Sequence, residues 1–407
     1  MINFKKYLVE SEDKNTHLEH VEDEVFNGGI AGTRKALTFL EGLAQMLAGR
    51  SKGRVNVTVK WDGAPALVCG INPENGRFFV GTKSVFNKEG KLNYTARDID
   101  KNHGGGLADK LKVALQELPN LGIRGVIQGD FLYTTEDIKT IEIDGETLIA
   151  FRPNTITYTV PVNSSLAQKI LNSRMGIVFH TSYSGKTIES AKASFGVDST
   201  KFRHVPAVWA TDATFRDASG SATLTNEETS QVAALLSKLE EMFNSMNPSV
   251  VNGIARDENL RSLIKTYINS QIRGGYGIEG SKKYATGLIN FIEAKYEKEI
   301  NALKTEKGKA RKQTALDTLH NIIKSNKEHL IDMFRMSALI AEVKMILLNK
   351  LASVKSLGTF LETSDGYKVT APEGFVAIDH ISGSALKLVD RLEFSKANFN
   401  AAKSWKK

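Results

Sequence analysis

The sequence has almost none of the residues that would crosslink the chain or hold it in a membrane. Cys69 is the single cysteine among 407 residues, so no disulfide can form within the chain, which is typical of a reducing compartment. No apolar run approaches the ~20 residues of a membrane span, and residues 1–6 lead into no apolar segment of a signal peptide. These absences predict a cytoplasmic protein without membrane contact.

The composition is otherwise that of an ordinary globular protein. Hydrophobic residues make up 41% and charged residues 25% of the chain, and the length suffices for roughly two to three domains. The formal net charge of +8 favours an anionic partner such as nucleic acid or a nucleotide. We expect a monomer or a weak oligomer.

Hydrophobic spacing divides the chain into helical and strand-rich stretches. Residues 1–50 show helical spacing, and residues 55–185 show mostly the alternation of strands. Residues 225–356 contain one proline, Pro248, and long runs of helix formers, which predicts an all-helical insert domain. Strand patterns return after residue 357. We therefore predict an α+β fold, in which residues 1–224 and 357–407 form one β-sheet core interrupted by the insert.

The N-terminal stretch offers two candidate sites, each with a simpler explanation. The glycine-rich residues 28–33 break the helical pattern, and we expect Thr33 to cap a second helix there. Such a turn can hold a phosphate, but a plain helix–helix turn is favoured. His17, Glu19, His20 and Asp23 could form a metal-binding face, although a solvated helix surface is the favoured interpretation.

The stretch from residue 55 to 66 carries the strongest chemical signal. Val55, Val57 and Val59 alternate with polar residues as in a half-buried strand, and Lys60 ends that strand. Residues 61–63, with the sequence Trp-Asp-Gly, supply turn chemistry directly after it. A lysine held between a rigid strand and a tight turn suits nucleophilic attack, which desolvation and neighbouring cations promote by lowering the pKa of an amine.

Four further short motifs follow this lysine, each on a predicted strand. In chain order the five are Lys60-Trp61-Asp62-Gly63, Gly129-Asp130-Phe131-Leu132, Gly176-Ile177-Val178-Phe179, Glu373-Gly374-Phe375-Val376 and Ala385-Leu386-Lys387-Leu388. Their order resembles that of the covalent nucleotidyltransferase superfamily of ATP-dependent DNA and RNA ligases and mRNA capping enzymes. The resemblance covers residues 55–185 and 357–395 and implies a nucleotidyltransferase, ATP-grasp-like ligase core.

The resemblance implies a role for each matched residue. Lys60 would attack the α-phosphate of ATP and form a lysyl–AMP intermediate, while Asp62 and Gly63 shape the turn. The remaining residues would surround the nucleotide: Lys83 at phosphate or the incoming strand end, Asp130 at the ribose or the metal, Phe179 stacked on the base, Glu373 at Mg²⁺ and Lys387 at the α-phosphate. ATP and Mg²⁺ are thus the expected cofactors.

Each of these residues also has an ordinary structural interpretation, and two depart from the family pattern. Phe179 could be core, Asp130 a strand-end turn residue, Glu373 part of a hairpin turn, and Lys387 a solvent-facing strand residue. The family usually carries glutamate where this chain has Asp130. It also usually carries a second lysine two positions after Lys387, where this chain has Val389; Arg391 could supply that charge from two residues further on.

The short segment after the last motif favours an RNA ligase over the other members of this superfamily. About 18 residues follow the last motif, too few for the OB-fold domain of DNA ligases and capping enzymes. The expected reaction joins a 5′-phosphate to a 3′-hydroxyl, with RNA favoured over DNA. Such enzymes are frequent in bacteriophages, which would place the protein in the host cytoplasm. Capping or AMPylation, and a non-catalytic nucleic-acid-binding protein that keeps the fold, remain as alternatives.

Overall fold

The computed structural model describes residues 18–48, 55–213, 223–353, 357–363, 366–369, 374–379 and 385–395. Over these ranges the protein combines α-helices with sheets that are mainly antiparallel. The predicted mixture of a strand-rich part and a helical part is thereby confirmed. The identity of the strand-rich part as a nucleotidyltransferase core stays a prediction.

The strands are short and rich in β-branched and aromatic residues, as half-buried strands generally are. They are β1 (Val55–Lys60), β2 (Ala66–Ile71), β3 (Phe78–Gly81), β4 (Val126–Thr134), β5 (Lys139–Ile143), β6 (Glu146–Phe151), β7 (Ile156–Pro161), β8 (Met175–Ser184), β9 (Lys192–Phe195), β10 (Val208–Asp212), β11 (Gly358–Thr363), β12 (Gly366–Val369), β13 (Gly374–Asp379) and β14 (Ala385–Val389).

The helices concentrate at the two ends of the first strand-rich part. They are α1 (Glu24–Asn27), α2 (Gly29–Leu47), α3 (Ala96–Asn102), α4 (Gly105–Glu117), α5 (Ser165–Asn172), α6 (Asn226–Ser245), α7 (Pro248–Arg256), α8 (Glu258–Gly274), α9 (Lys282–Ala302), α10 (Glu306–Ser325) and α11 (Lys327–Ala352). Five of the last six begin at a side chain that accepts a backbone N–H, a pattern that sequence alone can indicate: Thr225, Asn247, Asp257, Ser281 and Thr305.

The strands form three sheets within the described residues. The first sheet has the order β1-β13-β14, and the second has the order β10-β8-β4-β2-β3 with β9 added to β8. The third has the order β12-β11-β7-β6-β5. In it, β5 and β6 form a hairpin that turns at Asp144 and Gly145, both of which have the positive φ that a two-residue turn of this kind requires.

The first and third sheets each join strands that precede the helices of residues 226–352 with strands that follow them. In the first sheet β1 pairs with β13, which in turn pairs with β14; in the third, β11 pairs with β7. Strands after residue 357 therefore pair with strands that precede the helices of residues 226–352. The pairing places Lys60 opposite Gly374 of β13, with β14 as the next strand of the sheet.

One face of the first sheet packs on the helices. Val57 and Phe375 of the sheet and Leu40 of α2 lie in one hydrophobic cluster with Leu288 of α9 and Leu347 of α11. The helices after residue 225 therefore share their core with the N-terminal helix and with the first sheet. The opposite face of the sheet carries Lys60 and Lys387.

A buried ion-pair network fastens the same three parts together. The ammonium of Lys344 lies 2.8 Å from Glu22 Oε1 and donates to the carbonyl oxygen of Val389 at 2.9 Å. Arg391 donates to Asp23 at 2.7 Å and lies 3.7 Å from Glu22 Oε1. Because all four charged side chains are buried, each one depends on its partners for solvation.

The N-terminal prediction is wrong in detail. Residues 18–20 are extended rather than helical, and α2 begins at Gly29, so Thr33 lies inside this helix and donates to the carbonyl oxygen of Gly29. The glycines permit close backbone packing: a Cβ added at Gly32 would lie 2.2 Å from the carbonyl oxygen of Glu24. The glycine-rich segment is a tight junction between two helices.

Candidate functional site

Lys60 lies at the end of β1, directly opposite Gly374 of β13. Gly374 has φ +153°, and a Cβ added there would lie 2.3 Å from the carbonyl oxygen of Leu388 in β14. The glycine of the fourth motif is therefore required by the close approach of the backbones. Glu373, the expected metal ligand, precedes it in sequence and lies outside the described residues.

The turn after Lys60 is fixed by the buried side chain of Asp62. Its Oδ2 accepts the backbone N–H groups of Thr155 at 2.6 Å and Ile156 at 2.7 Å, and its Oδ1 accepts from Asn154 at 2.7 Å. The backbone N–H of Asp62 donates to the hydroxyl of Tyr158. Burial raises the pKa of the Asp62 carboxyl, against the opposite effect of these hydrogen bonds and of the Lys60 charge. The turn is thus anchored to β7.

Gly63 brings this turn against Asp130 of β4. A Cβ added at Gly63 would lie 2.5 Å from the Cβ of Asp130, so a larger residue would displace one of the two. The next residue, Ala64, donates its backbone N–H to the carbonyl oxygen of Phe131 at 2.9 Å. The turn therefore has two anchors, β7 and β4, and it sets Lys60 and Asp130 at neighbouring ends of the first and second sheets.

Lys83 lies at the same end of the second sheet. Ala66 pairs with Asp130, and Val68 pairs with Gly81 of β3. Two residues beyond Gly81, Lys83 consequently lies near the level of Asp130, about 10 Å away across β2 at the usual strand spacing. Its side chain is exposed.

Lys387 shares a sheet face with Lys60, which we call the lysine face. Lys387 pairs with Val376, two residues along β13 from the partner of Lys60, and residues paired across neighbouring strands point to the same side. At ordinary strand spacing the two lysine Cα atoms are about 12 Å apart. Phe195 of β9 packs against Val376 and Ala385, so this face is turned towards the second sheet.

His180 joins Asp130 and was not predicted. The register between β4 and β8 shifts at His180, which leaves this residue as a β-bulge. Its Nε2 lies 3.6 Å from Asp130 Oδ1, and both side chains are partly exposed. Bulges often re-aim a side chain next to a functional site. The sequence gives no signal for the bulge because residues on both sides of His180 fit a regular strand.

Phe179 and Arg391 are not brought into this group. Phe179 is fully buried in a hydrophobic cluster with Leu67 and Ile127 and packs edge-on against Phe202, so its ring has no exposed face for a base. The guanidinium of Arg391 donates to Asp23 and to Asn269, which engages its charge within the protein. We assign neither residue a contact with the nucleotide.

Among the described residues, no group of three or more His, Cys, Asp or Glu side chains could hold a metal ion alone. Of the four residues considered for a metal-binding face at the N-terminus, His17 lies outside the described residues, and Glu19, His20 and Asp23 are not grouped for a metal ion. The favoured alternative, a solvated helix surface, is wrong as well, because residues 18–20 are extended and Asp23 is buried. Mg²⁺ at nucleotide sites needs only one or two carboxylates, since phosphate oxygens and water complete its shell. Of the two carboxylates that the sequence assigns to Mg²⁺, Asp130 lies at this site and Glu373 lies outside the described residues.

A separate small cavity lies far from the lysines along the chain, between α6, α7 and α11. Its volume is about 130 Å³, and Met242, Asn247 and Arg335 contribute to its lining. Pockets for small-molecule ligands generally measure about 300–1,000 Å³, so this cavity is too small for a nucleotide.

In the described part of the chain, no helix has the length and apolarity to cross a membrane.

The fold and the site define a mixed α/β protein with a lysine-bearing sheet face next to a carboxylate and a bulged histidine. Residues 15–403 match the model of a family of unknown function (DUF6267), so the protein belongs to this family. The match extends over nearly the whole chain, helices and sheets together. No curated protein and no solved structure matches it.

Proposed function

We propose that the protein is an ATP-dependent nucleotidyltransferase of the RNA-ligase type that works through a lysyl–AMP intermediate at Lys60. Support comes first from the motif order in the sequence. The observation that carries the proposal is the first sheet, because it aligns Lys60, Gly374 and Lys387 from chain segments more than 300 residues apart. A chance succession of unrelated short motifs gives no reason for such a convergence.

In the first step, the unprotonated amine of Lys60 attacks the α-phosphorus of ATP. A P–N bond forms, the bond from the α-phosphorus to the bridging oxygen breaks, and pyrophosphate leaves while the amine proton passes to solvent. Lys387 lies on the same sheet face and would offset the charge that develops on the α-phosphate oxygens. Mg²⁺, when bound through Asp130 and Glu373, would supply further charge stabilisation.

The next two steps transfer AMP and join the ends. A terminal 5′-phosphate oxygen attacks the phosphorus of lysyl–AMP, so the P–N bond breaks and the Lys60 amine regains a proton. The 3′-hydroxyl of the second end then attacks the activated 5′-phosphate, AMP leaves, and a phosphodiester forms. Lys83, exposed at the same end of the second sheet, would meet the phosphate of the incoming strand.

The structural groups around Lys60 have supporting roles in this proposal. Asp62 holds the turn and thereby the nucleophile, while Gly63 allows the turn to pass Asp130. Phe195 is a half-buried aromatic residue beside the lysine face, and it replaces Phe179 as the candidate for base stacking. Arg391 serves the ion-pair network that attaches β14 to the helices.

Labelling with α-phosphate-labelled ATP or GTP tests the proposal. We expect ATP plus Mg²⁺ to label the wild-type protein, Lys60→Ala to abolish the label, and the control Lys88→Ala, an exposed lysine in a nearby turn, to retain it. With 5′-phosphorylated RNA the label should pass to the RNA and then appear as free AMP. Preferential labelling by GTP would favour a capping-type activity, and equal labelling of Lys60→Ala would overturn the mechanism.

A nucleic-acid-binding protein without catalysis is the second candidate, and one observation favours it. The expected second cation of the final motif is missing, and Arg391 is already engaged by Asp23. In that case the wild-type protein would bind RNA and take no label from either nucleotide. Under our proposal, RNA binding and labelling occur together.

A further inference from the structure

The N-terminal residues 18–20 extend the lysine face by one further strand position. The backbone N–H of Lys387 donates to the carbonyl oxygen of Glu19 at 2.9 Å, and His20 bridges Lys387 in a parallel pairing. Paired residues point to the same side of a sheet, so His20 belongs to the face of Lys387. Leu18, two residues earlier, confirms this direction because it packs with Val376 and Ala385 on that face.

One ring nitrogen of His20 is buried without a hydrogen-bond partner among the described residues. This nitrogen is Nδ1, while the residue as a whole is half-buried. Buried polar atoms are nearly always paired, and those that are not recur at sites where a ligand or water completes the bond. The neighbouring residues Glu19 and Glu22 form ion pairs with Lys265 and Lys344.

The charges around His20 are mostly positive. Burial and then the charges of Arg391, Lys344, Lys387 and Lys60 lower the pKa of His20 well below its usual range. Glu22 and Asp23 compensate Lys344 and Arg391 on the helix side of the sheet, and Glu19 compensates Lys265. His20 therefore lies in a positive electrostatic environment, on the sheet face that also carries Lys60 and Lys387, and such an environment favours an anion.

We propose that His20 is a third phosphate ligand, beside Lys387 and Lys60, for the triphosphate of the nucleotide substrate. This inference rests on the proposed function for the identity of the substrate, but the anion site it names can be measured without any reaction. An incoming triphosphate would reverse the electrostatic environment of the ring and favour the charged imidazolium. Binding should accordingly be accompanied by proton uptake at His20, and the affinity should rise as the pH falls.

Inorganic triphosphate is the probe, measured by calorimetry on the full-length protein. We expect His20→Gln to weaken binding about ten- to a hundredfold, as for loss of a hydrogen bond to a charged group. The affinity advantage of wild type over His20→Gln should grow as the pH falls, because the pKa of His20 is lowered well below its usual range in the free protein and the bound anion would raise it. The matched control His204→Gln, an exposed histidine before β10, should bind as wild type does.

A measurement on the wild-type protein avoids any folding defect of the variant. Diethylpyrocarbonate modifies neutral histidines, and peptide mass spectrometry locates the modified residues. Triphosphate should protect His20 and leave the modification of His204 unchanged. Unaltered affinity in a folded His20→Gln variant, or equal modification of His20 with and without triphosphate, would overturn the inference.

The two proposals fail separately. If lysyl–AMP forms at Lys60 while triphosphate neither protects His20 nor depends on it, the inference fails and the proposed function stands. If triphosphate binds and protects His20 but ATP never labels Lys60, the anion site stands and the nucleotidyltransferase proposal fails.

Discussion

The helices of residues 226–352 and the lysine face of the first sheet are built in opposite ways. Each helix is made of consecutive residues, and caps such as Thr225 and Thr305 lie beside the turns they stabilise. The lysine face takes Lys60, Lys387 and His20 from three segments at both ends of the chain. Charged side chains from distant segments of the chain thus meet on one face of the first sheet, whereas the helices mainly supply apolar support against its other face.

The largest expected effect concerns the junction between these two regions. Lys344→Met removes the cation that neutralises Glu22, and an unpaired buried charge costs about 3–5 kcal/mol of the free energy of unfolding. Chemical denaturation followed by circular dichroism measures this loss. The matched control is Lys350→Met on the same helix, whose partly exposed pair with Glu228 should cost less than about 1 kcal/mol. Equal losses in both variants would mean that the network does not hold the sheet to the helices.

The second prediction concerns the anchored turn. Asp62→Asn cannot accept the backbone N–H groups of Thr155 and Ile156 with a charged oxygen, so we expect a loss of about 2 kcal/mol and a labelling rate at least about tenfold lower. Denaturation and the rate of AMP incorporation measure the two effects. In the matched control Asp98→Asn, another carboxylate that accepts two backbone N–H groups is lost, and the labelling rate should stay unchanged. An undiminished rate in Asp62→Asn would separate the turn from catalysis.

The third prediction uses acid to probe the same junction. Burial alone would raise the pKa of Glu22, but the charges of Lys344 and Arg391 overcome it and lower that pKa. A glutamate whose pKa is lower in the folded than in the unfolded protein stabilises the fold at pH values above its unfolded-state pKa, which is about 4.3. This stabilisation is lost as the pH falls through the pKa of the group in the folded protein. The stability difference between wild type and Glu22→Gln should therefore shrink below about pH 4. A constant difference down to pH values where the protein unfolds would contradict the assigned direction.

The smallest effect is expected in the helices alone. Thr225→Ala removes the cap of α6, whose hydroxyl accepts the backbone N–H of Glu228 at 3.1 Å, and should cost about 1 kcal/mol. Thermal unfolding measures it, with the exposed Ser230→Ala as control. Since the cap lies far in sequence from the lysine face, AMP labelling should not change. A loss of labelling would show that the two regions are coupled more tightly than the contacts indicate.

Local sequence patterns predict those parts of the fold that form between residues close together in the chain. The helices after residue 225, the hairpin at Asp144 and Gly145, and the return of strands after residue 357 follow from spacing and turn chemistry. The extended course of residues 18–20 could not be predicted, because their partner in β14 lies over 360 residues away. Their helical spacing was accidental.

The sequence also does not show which way the side chains of β8 point. Residues 175–179 are apolar on both faces of the strand, so alternation does not tell whether Phe179 points to the core or to the site. The bulge at His180 adds a second ambiguity. Arg391 was expected beside phosphate because of its position after β14, but Asp23, which pairs with it, comes from the other end of the chain.

The most direct measurement is peptide-resolved mass spectrometry of the full-length protein after incubation with ATP and Mg²⁺. We predict one added AMP, attached to Lys60 and removed again by pyrophosphate, which reverses the first step. AMP on a different residue, or an unmodified Lys60 peptide in protein that is folded and binds ATP, would contradict it.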